Sequence, residues 1–158
     1  MMKLVEDYKY KSIRKTAEVL AEMLDVAIPQ EFEEGREVAV VPLPTIGKHI
    51  RERGFDHTLL LAKELARRRG WKVERVLTRK NKTVQVGANE EARKRQAKSA
   101  YEVVGGCKSG SLRLNGQKTF LLIDDVWTTG ASMEAAILAI KKAGASCVAS
   151  AVLLIPPE

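Results

Sequence analysis

The chemistry in this chain is concentrated in Asp124-Asp125-Val126-Trp127-Thr128-Thr129-Gly130-Ala131-Ser132, which follows the apolar run Thr119-Phe120-Leu121-Leu122-Ile123. Burying two adjacent carboxylates for structure alone is costly, because each leaves water. Sugar hydroxyls and a divalent cation are partners that suit such a pair. Behind the pair, Thr128, Thr129 and Ser132 offer hydroxyl donors, and Gly130 lets a phosphate approach the backbone closely. A helix beginning at Ala131 adds free N–H groups and about half a positive charge at the same spot. The pattern therefore predicts a phosphorylated sugar held between carboxylates and a helix N-terminus. It is no Walker loop, since no Gly-Lys-Ser/Thr ends it. The bland alternative is a plain strand-to-helix turn with Asp125 or Thr129 as the N-cap.

A second anion site is expected in the turn Pro44-Thr45-Ile46-Gly47-Lys48, which follows another apolar strand; Lys48, Arg51 and Arg53 add charge there. The segment from Arg79 to Lys98 carries Arg79, Lys80, Lys82, Arg93, Lys94, Arg95 and Lys98, and a loop this long inside a compact domain is usually functional or mobile. Val126 and Trp127 sit where a planar base could rest, although core packing is the commoner use of such a tryptophan. His49 and His57, beside arginines, are expected to face solvent, and Phe55 and Trp71 to pack.

These residues need elements to hold them. Ile13, Ala17, Leu20 and Leu24 mark an amphipathic helix over residues 8–25, and Pro29 breaks the chain after it. Val38 to Leu43 predicts a buried strand, with Pro42 and Pro44 turning it into an irregular loop. A helix is expected from Thr58 to Arg69, stopped by Gly70, then a strand from Lys72 to Leu77. Further expectations are a short charged helix over residues 90–98, strands at 100–104, 119–123 and 148–154, and a helix from Ala131 to Lys142 ended by Gly144. Strands alternating with helices predict one α/β domain over residues 1–158, with a core at 38–154 and a mainly parallel sheet flanked by helices.

Composition narrows the class. The 158 residues are 45% hydrophobic and 30% charged, ordinary for a globular chain, and no apolar run approaches a membrane span. The N-terminus lacks a secretory apolar core, so a cytoplasmic location is expected. Cys107 and Cys147 have no Cys-x-x-Cys partner and read as two free thiols, not a zinc site. The net charge of +7 is uneven: residues 38–98 carry sixteen basic and six acidic side chains, while residues 1–37 carry six and nine. A field of that kind either gathers a polyanion, diphosphate or nucleic acid, or is simply a solvated surface.

Asp124 to Ser132 resembles the phosphoribosyl-pyrophosphate motif of type I phosphoribosyltransferases. More narrowly, the chain resembles the ComF family, phosphoribosyltransferase-like proteins linked to bacterial competence. The likeness lies in Val41-Pro42-Leu43-Pro44 leading into Arg51-Glu52-Arg53-Gly54-Phe55-Asp56, in Gln85-Val86-Gly87 leading into Arg93-Lys94-Arg95, and in the phosphate loop. The resemblance implies the type I fold and binding of phosphoribosyl pyrophosphate with Mg²⁺. Asp124 and Asp125 would hold the ribose hydroxyls, and Thr128, Thr129, Gly130, Ala131 and Ser132 the 5-phosphate. Thr45, Ile46, Gly47, Lys48, Arg51 and Arg53 would meet the diphosphate, and residues 79–98 would form the closing loop. The ion would sit mainly on ligand oxygens and water, with Asp124 and Asp125 the only protein carboxylates near it. Transfer of the 5-phosphoribosyl group to a nitrogenous acceptor is the expected activity. The rival is a non-catalytic factor binding single-stranded DNA or a protein of the competence machinery; a homodimer stays open. The sequence holds no counterpart of the Cys-rich zinc module of many ComF proteins. Asp56 and Gln96 stand where that family often has Asn, and Thr128 where purine-salvage relatives often place a carboxylate, which makes purine salvage the less expected chemistry.

Overall fold

In the computed structural model, residues 13–33, 35–79, 100–104 and 118–155 are described. The expected helix at residues 90–98, and residues 8–12 of the first helix, lie outside them. Helix α1, Ile13–Ala27, buries Ala17, Leu20, Ala21 and Leu24 at helical spacing, and runs two residues past its expected end. Pro29 then opens a single 3-10 turn, Gln30–Glu33. Strand β1, Glu37–Pro42, is followed by two helices, α2 (Gly47–Arg53) and α3 (His57–Arg69). The sequence had shown only a turn where α2 forms. Three residues, Gly54, Phe55 and Asp56, separate the helices, and Gly54 takes φ 80° to end α2.

The expected strand from Lys72 to Leu77 divides in two. Strand β2, Lys72–Val73, pairs with β1, and the Glu74 N–H extends that ladder to the Val40 carbonyl at 2.9 Å. The chain then leaves the sheet, and β3, Leu77–Arg79, pairs antiparallel with β4, Tyr101–Val103. Strand β5, Lys118–Val126, leads to α4, Ala131–Lys142, and β6, Cys147–Leu154.

Strands β2, β1, β5 and β6 lie in that order, all parallel. Alternation along the strands divides the core between two faces. Val38, Val40, Leu121 and Ile123 meet α1 and α3, while Ala39, Val41, Phe120 and Leu122 meet α4 and the β3–β4 ribbon. Pro42 fits inside β1 because Leu43 N–H bonds the Ile123 carbonyl at 2.9 Å. The position of the missing proline donor then faces the other side, beyond the end of β2. No described helix is long and apolar enough to cross a membrane.

Two polar clusters fix the helices. Asp56 caps α3, accepting from Leu59 N–H at 3.2 Å, and the same Oδ1 lies 3.0 Å from the Thr45 hydroxyl and 2.9 Å from that of Thr58. Thr58, 2% exposed, also lies 2.8 Å from the Leu43 carbonyl. The loop after β1 is thereby tied to the start of α3. At the other end of α3, Arg69 bonds the Asp25 carboxylate and the Asp25 and Ile28 carbonyls at 2.7 and 2.9 Å, closing the C-terminus of α1. Glu33 joins this cluster, accepting from Arg69 at 3.3 Å and from the Trp71 indole at 2.7 Å.

The hydrogen bond from Arg69 holds the Asp25 carboxyl below its ordinary value, with Arg68 adding to the effect against the opposing cost of burial. A folded-state value below the unfolded one adds stability that is complete above the ordinary aspartate range, roughly pH 4 and higher, and is lost as pH falls through the folded value. Asp25→Asn is therefore expected to lower the urea midpoint at pH 7, with the gap to wild type closing progressively in acid. A gap that persists undiminished at pH 2 would show that the charge is not its source.

Candidate active site at the ends of β1 and β5

The acidic pair lies inside β5 and not in the loop after it, because β6 pairs with the strand as far as Asp124↔Val152 and Val126↔Leu154. Neighbours on a strand leave it toward opposite faces, so the two carboxylates have different surroundings even though an oxygen of each lies within 4.8 Å of the other. Asp124, half-buried, opens toward the α4 face, and its Oδ1 accepts the Asp125 N–H at 2.9 Å. Asp125, 5% exposed, turns toward α3, where its Oδ2 lies 3.4 Å from His57 Nε2.

The following turn ends at Gly130, the N-cap of α4, with φ 74°. That conformation suits glycine, and a Cβ there would sit 2.5 Å from the Trp127 ring. Neither Asp125 nor Thr129 is the N-cap, and no side chain caps the helix; the Thr129 hydroxyl stands 3.5 Å from Ala131 N–H. Thr128, Thr129, Ala131 and Ser132 are exposed, as groups offered to a ligand must be. Val126 and Trp127 are half-buried and pack on opposite core faces, Val126 toward α3 and Trp127 toward α4. Both also line a small cleft of about 60 Å³ with Asp124, Thr128, Gly130 and Ser132.

A larger cleft of about 170 Å³ brings the two strand ends together. Its walls include Leu43 to Ile46, Arg53, His57, Arg79, Tyr101, Asp124 and Ser132. Thr45 and Ile46 thus face the cleft from a loop, whereas Gly47, Lys48, Arg51 and Arg53 lie on α2, contrary to the single turn expected. Lys48 is exposed and pairs with Glu52 at 3.7 Å, while the Arg51 guanidinium reaches back to within 3.4 Å of the Cβ position of Gly47. Arg53 turns to His57, its Nη1 3.1 Å from Nδ1. Arg79 lies over the Tyr101 ring at 5.5 Å and bonds its hydroxyl at 3.2 Å, so the root of the basic segment stands at the cleft. Lys80, Lys82, Arg93, Lys94 and Arg95 lie outside the described residues.

His57 is the residue that the sequence misplaced. It is 6% exposed, not solvent-facing, because it is the first residue of α3 after the Asp56 cap and meets the α3 face of β5. A histidine directly after a capping Asp and four residues after an arginine was the available signal. His49 is half-buried on the wall of the same cleft and not simply solvent-facing; its Nδ1 lies 3.2 Å from Glu52, whose carboxyl it holds low.

His57, Asp124 and Asp125 place one potential ligand atom each within 4.8 Å of one another. Mg²⁺ prefers oxygen donors and keeps water in its shell. Asp124, open to the cleft, fits that preference. The imidazole does not, since Arg53 faces one of its nitrogens and Asp125 the other.

A family model, the phosphoribosyl transferase domain, matches residues 56–158, from the Asp56 cap onward. No curated protein sequence matches the chain. Among solved structures it is similar to an allosteric regulatory enzyme of purine biosynthesis, with 16% identity over 94% of this chain and 30% of that one and a TM-score of 0.57. It is similar also to the glutamine phosphoribosylpyrophosphate amidotransferase of B. subtilis complexed with ADP and GMP, with 17% identity over 96% and 31% and a TM-score of 0.56. The chain thus spans less than a third of either relative, and at these identities they share its fold. With the parallel sheet and the family match over residues 56–158, the chain belongs to the phosphoribosyltransferase domain family.

Proposed function

We propose that the chain binds phosphoribosyl pyrophosphate with Mg²⁺ and transfers its 5-phosphoribosyl group to a nitrogenous acceptor. The observation that carries this reading is that one cleft is walled by Thr45 and Ile46, by Asp124 and by Ser132 in the first turn of α4. The uncapped start of α4, with the hydroxyls of Thr128, Thr129 and Ser132, takes the 5-phosphate. Asp124 accepts from the ribose hydroxyls, and Asp125 supports it from the α3 side. The Thr45–Gly47 turn faces the diphosphate end, and Arg75 and Arg79 share a cleft with it. Bound Mg²⁺ supplies charge neutralisation on the diphosphate as it leaves. The protein's own share is positioning and electrostatic stabilisation.

The finer likeness to ComF rests on the segments around Arg53, Gly87 and the phosphate loop, and we read the chain as a relative of that family. The rival reading, a single-stranded-DNA module, drew on the basic middle segment. Part of that charge is engaged within the protein: Arg68 and Arg69 meet Asp25, Arg67 meets Glu64, and Lys72 meets Glu37. No observation on the described residues favours the DNA reading over the sugar-phosphate one.

Phosphoribosyl pyrophosphate with Mg²⁺, at a hundredfold excess over its dissociation constant, is expected to stabilise the folded chain by about 2.7 kcal/mol. Thermal melts with and without ligand measure this, and diphosphate release across a panel of bases tests transfer. No shift at millimolar ligand would overturn the assignment. Asp124→Asn is expected to remove the ligand-induced shift while leaving the unliganded melting temperature nearly unchanged, because this carboxylate faces the cleft. Gly130→Val is expected to lower both stability and binding, since the new side chain meets the Trp127 ring in a backbone conformation that valine resists. A Gly130→Val protein of wild-type stability and affinity would mean that the ring and turn rearrange freely.

A further inference from the structure

We propose that His57 is a positioning residue for the acidic pair, held by Arg53 as the Nε2–H tautomer so that it presents a fixed donor to Asp125. The inference deepens the proposed function and rests on it for its ligand consequences. Arg53 Nη1 lies 3.1 Å from His57 Nδ1, and a guanidinium has donors only. Nδ1 is then the acceptor, which puts the ring proton on Nε2. That nitrogen lies 3.4 Å from Asp125 Oδ2. His57 and Asp125 are 6% and 5% exposed, so the contact is shielded from water.

The line Arg53–His57–Asp125 joins the end of α2 to the start of α3 and then to the last residues of β5. It links the element that follows the first loop to the strand that carries the second. Asp125 is bonded through its own N–H to Asp124 Oδ1 at 2.9 Å, so a shift of Asp125 moves the carboxylate that faces the cleft. The histidine lines the cleft on its α3 side and acts on the pair through Asp125. It fixes the orientation of the pair through the contact of its Nε2 with Asp125 Oδ2 at 3.4 Å, a polar contact that a hydrophobic side chain of the same size does not make.

The test has two arms. In the free wild-type protein at neutral pH, long-range ¹H–¹⁵N correlation of the His57 ring is expected to show a bare Nδ1 and a protonated Nε2. An Nδ1–H ring, or a doubly protonated ring, overturns the inference whatever the ligand does. In the second arm, binding of phosphoribosyl pyrophosphate with Mg²⁺ is measured by calorimetry for wild type, His57→Gln and His57→Phe, beside their melting temperatures. His57→Phe is expected to lose affinity on the order of tenfold to a hundredfold, as stranding one partner of a buried polar pair does. His57→Gln, whose amide can still donate, is expected to keep affinity within a few-fold of wild type. Equal affinities for all three overturn the positioning role and leave the proposed function intact. A wild type that does not bind overturns the proposed function, and the tautomer arm then decides the inference alone. If His57→Phe does not fold, the same tautomer arm and the His57→Gln affinity carry the test, and a Gln variant that loses binding while folded overturns it.

Discussion

The parallel pairing of β1 with β5 is the interaction on which the rest of the site depends. It runs in register from Glu37↔Lys118 to Pro42↔Ile123 and is extended by the Leu43 N–H to the Ile123 carbonyl. Parallel strands end on the same side, so their outgoing loops emerge together. Here that places Leu43 to Ile46 beside Asp124 and the turn into α4. Every residue in the pairing is buried on at least one strand, so a slip of one residue would carry apolar side chains to the wrong core face. The register is therefore strongly specified, and the meeting of the two loops with it.

Asp56 converts that proximity into a defined shape. Its one carboxylate oxygen serves the cap of α3 and lies within hydrogen-bond reach of the Thr45 and Thr58 hydroxyls. Thr58 carries one proton yet lies near both Asp56 and the Leu43 carbonyl, so the network holds by sharing protons and not by saturating every acceptor. The consequence is that α3 starts at a fixed point against the loop, and His57, its first residue, can only face β5. At the far end of the same helix, Arg69 anchors α1, so one helix ties the site to the outer layer. The Asp56 residue also marks the start of the family match.

The charge distribution takes on a different meaning once the chain is folded. The acidic N-terminal residues Glu22, Asp25, Glu33 and Glu37 meet Arg68, Arg69 and Lys72 of the basic middle segment. Opposite signs that are far apart along the chain become neighbours, and part of the positive field is used in holding α1 and α3 together. Exposed pairs of this kind add little stability singly. The less exposed Arg69 cluster, with its backbone acceptors and the Trp71 ring at 5.3 Å, is the more specific of them.

The sequence by itself determined what depends on local pattern and residue chemistry. The α1 stripe, α3 with its Gly70 stop, the two apolar core strands, α4 and the glycine turn before it were all legible, because periodicity, capping residues and glycine act over a few residues. The resemblance of Asp124 to Ser132 likewise needed no coordinates. Tertiary structure alone decided the rest. Helix α2 was hidden because Gly47 to Arg53 is short, polar and lacks a capping side chain. The division of residues 72–79 between two sheets followed from partners distant in sequence, β1 for one part and β4 for the other. The acidic pair proved to be strand and not loop because β6 continues beside it. That extra pairing sends Asp124 toward the cleft and Asp125 toward a buried histidine. A string of letters cannot show this, since which face a strand residue takes is set by the neighbours that pair with it and pack against it.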